Sequence, residues 1–371
     1  MSSFAIFRLP HANHCTLIEG EVQTLSSLTD LNGRQGFVIA PFIVTEETPI
    51  LLIEQKRSTP LQTLPVREGS RYIKVVSARK VLSPLPYREG TGESLEGSEK
   101  SLDSLYPFST FHSALLAGHF QKLVLARCAI EPNDVSVEPI TLFERACEHY
   151  PRMFIALVST PQSGTWLTAT PEVLLESLPQ PGLMRTIALA GTMRLHDDEL
   201  DGEGLHLRWS TKNIQEQRYV ASYIADTLKR LGIDYEEEGP RTVRAANLVH
   251  LRSDFTFGYD STHAGNLLEA LHPTPAVCGL PKKEAQAFIL QNEPTPRQYY
   301  SGFMGPLHLP LTTHHSPPVT HLYVSLRCMQ IEDDCYRLYA GGGLLRDSTF
   351  DKEWQETEAK METMRQIINH Q

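Results

Sequence analysis

Short apolar runs and longer helix-periodic stretches follow one another irregularly along this chain, and their order decides which folds are open to it. Apolar runs at 36–44 and 50–54 end in Pro, Gly or polar residues, as strands do. Further strand-like runs fall at 123–126, 154–158, 173–176, 323–328 and 336–340. Helical spacing of apolar residues predicts helices over 139–150, 213–231, 282–291 and 348–370. Because strand and helix do not alternate regularly, the order fits a large α+β unit rather than a doubly wound parallel sheet. No segment recurs at a fixed period, which excludes a solenoid. Between Ser83 and Ser104 the chain turns to Pro, Gly, Ser and Glu, too polar to pack, and reads as a linker or mobile loop. It separates a β-rich opening, residues 1–104, from the main unit at 105–371, with the opening strands expected to complete the same sheets.

A chain of 371 residues exceeds the roughly 100–200 residues of one ordinary domain, so two domains or one large intertwined unit are open to it. Its 41% hydrophobic and 21% charged residues are those of a globular protein, so a disordered or fibrous chain is excluded. The net charge of -10 argues against a nucleic-acid partner, because phosphate backbones are held by clustered Lys and Arg. Six cysteines are scattered without a C-x-x-C pair, which favours reduced thiols over a zinc site or a disulfide framework. The most apolar stretch, 37–44, is short and holds Pro41, and no basic region with a long apolar run opens the chain. A cytoplasmic protein without a membrane span is expected.

Two of the expected helices carry carboxylates in unusual places. In the first, Val220, Ile224, Leu228 and Leu231 recur at spacings of four, four and three, and Glu216 lies four residues before Val220 on the same stripe. A carboxylate there is costly to bury without a compensating cation; alternatively it complements the helix dipole, half solvated. The last helix opens with Ser348 and Asp351, an S-x-x-D capping pattern, and turns Trp354, Met361, Met364 and Ile368 inward. Glu353, Glu356 and Lys360 stack on one edge of that face, either as a surface ion-pair ladder or as part of a site. Were Glu216 and Glu356 to converge, they would suit Mg²⁺, which usually binds through one or two carboxylates and keeps waters. The two residues lie 140 positions apart, and the spacing alone does not join them.

Nine segments follow in order over about residues 105 to 370: Lys122-Leu-Val-Leu-Ala-Arg127, Thr170-Pro-Glu172, Ala188-Leu-Ala-Gly-Thr192, Glu216 in KNIQEQRYV, Leu271-His-Pro-Thr-Pro-Ala276, Tyr300-Ser-Gly-Phe-Met-Gly305, Ser325-Leu-Arg327, Ala340-Gly-Gly-Gly343, and Glu353-Trp-Gln-Glu-Thr357 with Lys360. Together they resemble the catalytic domain of the chorismate-utilising enzymes, the family of isochorismate, salicylate, anthranilate and aminodeoxychorismate synthases. The resemblance implies that family's large fold, packed β-sheets flanked by helices. It implies Lys122 as the general base acting on water, where ammonia-using members usually carry another residue. Ala190 is similar to the water-using branch, since aminodeoxychorismate synthases typically have lysine there. Glu172 stands at the position of the general acid for the departing C4 hydroxyl of chorismate.

The resemblance further implies Mg²⁺ held by Glu216 and Glu356, with Glu353 as a nearer or water-mediated partner. Arg327 and Lys360 are the cations expected near substrate carboxylates, and backbone N–H groups at Gly191, Thr192, Gly342 and Gly343 are expected donors, because glycine admits a ligand close to the backbone. Tyr300 and His272 are expected at the substrate, although a histidine before proline serves equally as a structural hydrogen-bonding residue. A lysine base must be desolvated or set near positive charge, and a carboxylic acid must be held protonated among apolar residues. Two departures from the family pattern are Gln217, where histidine is common, and Met193-Arg194-Leu195, where Arg-Pro-Arg-Gly is common. The expected activity is that of an isochorismate synthase without a glutaminase subunit, working as a monomer or weak dimer, towards menaquinone rather than a catechol siderophore. A salicylate synthase would carry the same residues, and a non-catalytic chorismate-binding sensor would not need both acid and base.

Overall fold

The computed structural model describes residues 3–55, 62–65, 106–133, 137–194, 208–245, 248–311 and 317–369; the expected linker at 83–104 lies outside them. Among the described residues the strands are β1 (Ser3–Arg8), β2 (His14–Leu25), β3 (Gly36–Ala40), β4 (Ile50–Gln55), β5 (Gln62–Pro65), β6 (Lys122–Pro132), β7 (Phe154–Thr160), β8 (Gly164–Thr170) and β9 (Val173–Ser177). They continue with β10 (Leu183–Arg194), β11 (Tyr235–Ala245), β12 (Leu248–Gly258), β13 (Gly279–Leu280), β14 (Phe303–Leu307), β15 (His321–Val324), β16 (Cys328–Ile331) and β17 (Cys335–Leu344). The helices are α1 (Phe108–Leu116), α2 (Pro139–His149), α3 (Thr211–Arg230), α4 (Ala264–Leu271), α5 (Lys282–Asn292) and α6 (Phe350–Ile368).

Hydrogen-bonded neighbours connect the strands in the order β11–β12–β10–β9–β15–β14–β3–β4–β2–β1–β7–β8–β16–β17–β6–β13, with β5 on the first half of β2, and every pairing is antiparallel. The α+β class read from the element order is therefore the one observed. Residue alternation explains how this ribbon packs. Phe7, Phe37, Ile39, Phe154, Trp166 and Tyr323 share one central cluster, whereas their strand neighbours point the other way. Val38, Leu175 and Ala188 join Val220, Ile224 and Leu268 beneath α3 and α4. Ile6, Ile155 and Leu157 join Phe143, Met361 and Met364 beneath α2 and α6. The ribbon thus folds over on itself, with helices covering both outer faces. Strands buried on both faces read as continuous apolar runs instead of alternating ones, which is why their faces are not separable in the sequence.

Several expected boundaries move. The run at 323–328 is two strands, β15 and β16, separated by a turn in which Arg327 has φ 45°. Apolar content marked the run, but not the point where its backbone reverses. Helix α3 begins at Thr211 behind the N-cap Ser210, whose hydroxyl accepts from Asn213 N–H, and Leu231, expected on the buried face, is the exposed C-cap residue. Helix α6 begins at Phe350 with Thr349 as N-cap and no side-chain cap; Ser348 instead accepts from Leu345 N–H, closing the preceding turn. Ile367, and not Ile368, is its fully buried residue. The opening strands sit inside the ribbon, β1 between β2 and β7, and β3 between β4 and β14.

Candidate active site

At the end of the folded sheet, β6 and β17 run side by side, Val124 opposite Gly343 and Ala126 opposite Gly341. Without side chains at 341–343 the floor stays open. A Cβ at 343 would collide with Glu216 Oε1 and lie 3.0 Å from the Lys122 side chain, and one at 342 would lie 3.3 Å from Glu353 Oε2 and 3.8 Å from Glu356 Oε1. The two carboxylate helices therefore converge on adjacent glycines. Lys122, the first residue of β6, is 0% exposed, and its Nζ lies 3.0 Å from Glu216 Oε1. That pair is an ion contact outside hydrogen-bond geometry, since Lys122 Nζ has no hydrogen-bond partner.

Helix α6 is held over β6 and β17 by Arg127, whose guanidinium stacks 3.8 Å from the Trp354 ring and whose Nε donates to Thr357 Oγ1 at 2.8 Å. This clamp fixes which residues of α6 face inward. Glu353, 1% exposed, pairs with Lys212 from the first turn of α3, while Lys360 Nζ donates to Glu356 Oε1 at 2.7 Å and to Gly341 O at 2.8 Å. Burial and the neighbouring Glu356 push the Glu353 carboxyl up. Burial works the same way on Glu356, but Lys360 and Lys212 outweigh it and hold that carboxyl low. Three carboxylates thus meet three lysine side chains, and Glu353 Oε2 is left buried without a partner. Such hard oxygen donors, one of them unpartnered, fit a small divalent cation. They do not lie within 4.8 Å of one another; among the described residues only Glu332, Asp334 and Cys335 meet that spacing, on the β16–β17 turn.

Above the glycines opens a cleft lined by Glu172, Gly191, Thr192, Glu216, Tyr300 and Arg327 among others, with Lys360 at its side. Glu172 follows β8, where its N–H donates to Thr170 Oγ1 at 3.2 Å and its carbonyl accepts from Val324 N–H at 2.9 Å. Burial pushes its carboxyl up to about 7, against the opposing pull of Lys122, Arg327 and Lys360. Arg327 reaches the cleft from a left-handed backbone conformation, a strained choice for a residue with a side chain. Its carbonyl accepts from Ala169 N–H at 3.1 Å, which helps hold that turn in place. Burial lowers the guanidinium to about 10, partly offset by Glu172. Tyr300 stacks on Tyr339, with ring centroids 5.5 Å apart.

The cleft also holds His250, which no motif of the sequence marks. His250 on β12 is buried, its Nε2 accepts from Arg327 Nη2 at 2.8 Å, and its Nδ1 lies 3.2 Å from Gly191 O. Burial, with Arg327 and Lys360 nearby, keeps its pKa far below the ordinary value, so the ring is neutral and orients Arg327. The sequence pattern predicts no strand over 235–258, where the β11–β12 hairpin lies, and so gives this histidine no place in a site. His272, conversely, does not line the cleft: its Nε2 lies 3.1 Å from Pro41 O and its ring packs edge-on to Phe303. The substrate contact expected for it gives way to the structural reading, because the turn after α4 points the ring into the core. Gln217, where the family pattern has histidine, is also buried and donates to Ser253 Oγ at 2.9 Å.

The chain is similar to several known proteins. A family model described as chorismate binding enzyme matches residues 109–369. Isochorismate synthase EntC of Escherichia coli (strain K12) is 30% identical over 251 residues, covering 67% of this chain and 62% of its own length. Isochorismate synthase DhbC of Bacillus subtilis (strain 168) is 30% identical over 258 residues, covering 67% and 63%. The chain thus spans somewhat under two thirds of the length of these curated relatives. In fold, it is similar to the isochorismate synthase DhbC from Bacillus anthracis, with TM-score 0.74, 20% identity and coverage of 100% of this chain and 97% of the other. The menaquinone-specific MenF from Escherichia coli follows with TM-score 0.71, 22% identity and coverage of 100% and 89%. Matched over most of its length, and with its carboxylates and cations gathered at one cleft, this chain belongs to the chorismate binding enzyme family.

Proposed function

We propose that this protein is an isochorismate synthase, a Mg²⁺-dependent isomerase that reversibly converts chorismate to isochorismate. The observation that carries the reading is Glu172, a cleft carboxyl raised to about 7 and ringed by Lys122, Arg327 and Lys360. It can hold a proton at neutral pH and still deliver it. Water attacks C2 of the ring and forms the new C–O bond while its proton passes to the neutral amine form of Lys122. The ring double bonds shift, the C4–O bond breaks, and Glu172 protonates the departing hydroxyl so that water leaves. No atoms are gained or lost overall, and the same residues run the reverse step.

Arg327, oriented by His250, and Lys360 face the substrate carboxylates as charge-assisted donors. Gly191 and Gly343 let the backbone approach the ring. Glu216, Glu356 and Glu353 would hold Mg²⁺, whose chemistry there is to neutralise the ring carboxylate. No helix among the described residues is long and apolar enough to cross a membrane, and none of the six cysteines is in a disulfide. A cytoplasmic monomer or weak dimer, without a glutaminase subunit and supplying menaquinone biosynthesis, completes the proposal.

Purified protein incubated with chorismate, with and without Mg²⁺, tests it by chromatography of the products. Mg²⁺-dependent isochorismate without pyruvate is expected. Salicylate with pyruvate would move the assignment to a salicylate synthase, and bound but unconverted chorismate would leave a sensor.

A further inference from the structure

Strand β6, which carries Lys122, has β17 on one side and only the two-residue β13 on the other, at Leu123 and Lys122. Beyond that point its outer edge has no strand neighbour among the described residues. Cys278 O accepts from Val124 N–H at 2.7 Å, and the next groups along the edge are met by side chains. Arg297 Nη2 donates to Val124 O at 2.9 Å, and Glu293 Oε1 accepts from Ala126 N–H at 2.7 Å. The two residues also pair with each other, Arg297 Nε to Glu293 Oε2 at 2.7 Å and Nη2 to Oε1 at 2.5 Å, with side chains 3% and 4% exposed.

The pair reaches other walls of the cleft as well. Arg297 Nη1 donates to Val277 O at 2.6 Å, and Arg297 O accepts from Tyr300 N–H at 2.9 Å. Val124, Val277 and Tyr300 all line the cleft. Phe42 lies 4.3 Å beneath the guanidinium and closes it off from that side. Neither Glu293 nor Arg297 itself lines the cleft.

We propose that the Glu293–Arg297 ion pair is a positioning device for the reaction: a side-chain substitute for the missing edge strand, which fixes β6 and so sets Lys122 beside Gly343 at the cleft floor. The inference rests on the isochorismate synthase reading above. Buried ion pairs of this kind are often replaceable by uncharged residues with little loss of stability, so stability alone does not account for a bidentate pair that also bonds three backbone groups, two on β6 and one on the Val277 turn. Their geometry, in contrast, has no uncharged equivalent. A shift of about 1 Å at a reacting group costs about a hundredfold in rate.

The test compares wild type with the charge-free double variant E293Q/R297M and with R297K, measuring kcat and KM for chorismate and the thermal midpoint of each. In the double variant the new amide oxygen still accepts from Ala126 N–H, and no charge is left buried alone. The expected result for the double variant is a kcat lower by about tenfold to a hundredfold, a KM within about threefold, and a midpoint lowered by only a few degrees, because Val124 O and Val277 O lose their donor. R297K, which keeps the pair and one carbonyl contact, recovers part of that kcat. A folded double variant with wild-type kcat overturns the inference. So does a kcat loss matched by equal losses in stability and substrate affinity, or failure of both variants to fold, since each describes a structural pair only. If wild type itself does not convert chorismate, the parent reading falls, and this one with it.

Discussion

A carboxyl group acts as an acid near neutral pH only if its surroundings penalise the anion, and Glu172 meets that condition by burial. With its pKa near 7, the protonated form dominates below that pH and is lost above it. Turnover should therefore fall as pH rises through about 7, and Glu172→Gln should cost about 10²- to 10⁴-fold in kcat. A pH–rate profile of both proteins checks this; a variant that keeps the same descending limb would remove Glu172 from the acid role. His272 shows the opposite case. Burial lowers its pKa to about 4 from an ordinary 6.5, so the unfolded chain takes up a proton that the fold excludes between those values. Stability gained at neutral pH is lost as pH falls through that window. His272→Ala should lower stability by about 1–3 kcal/mol at pH 7.5 and flatten the acid slope, with KM for chorismate unchanged. Urea unfolding at pH 5 and 7.5 provides the comparison, and a raised KM would return His272 to the substrate.

Among elements, α3 and α6 matter most, because each brings carboxylates to the three glycines of β17. The inward stripe of α3 was legible: Val220, Ile224 and Leu228 are buried as spaced, and Glu216 with them. Glu353, Glu356 and Lys360 likewise occupy the inner edge of α6 that their spacing assigned. What periodicity could not supply was the axial meeting of the two helices, which depends on Arg127 pinning α6 to β6 and on Ser210 starting α3 beside Gly191. Gly343 should therefore tolerate nothing larger. In Gly343→Ala the new methyl would displace Glu216 from Lys122, and kcat/KM should drop at least about tenfold, with more Mg²⁺ needed for half-maximal activity. Titrating Mg²⁺ against activity in the variant checks both, and an unchanged half-maximal concentration would mean Glu216 does not serve the metal.

Across the whole molecule, the opening strands are interior parts of one ribbon. β1 bridges β2 and β7, and β3 bridges β4 and β14, so residues 3–55 form part of the central cluster through Phe7, Phe37 and Ile53. A fragment of residues 105–371 would expose that cluster and leave β7 and β14 with open edges, which invites aggregation. It should show no cooperative thermal unfolding, although it contains the whole matched family segment. A cooperative transition near that of the full chain, followed by circular dichroism, would contradict this picture.

The α+β class and the inward stripes of α3 and α6, short of their last turns, with Glu216 and Glu356 placed along them, follow from local order and periodicity, whereas Lys122 and Glu172 stand out only through the family resemblance. Folding alone brings Glu216 and Glu353 over neighbouring glycines, turns Arg327 between two strands, sets His250 against it, and carries Glu293 and Arg297 to the edge of β6. Each of those facts joins residues from distant parts of the chain. Local spacing fixes the direction in which a side chain points, but its partner is set by strand pairing and helix packing, which no short stretch of sequence contains.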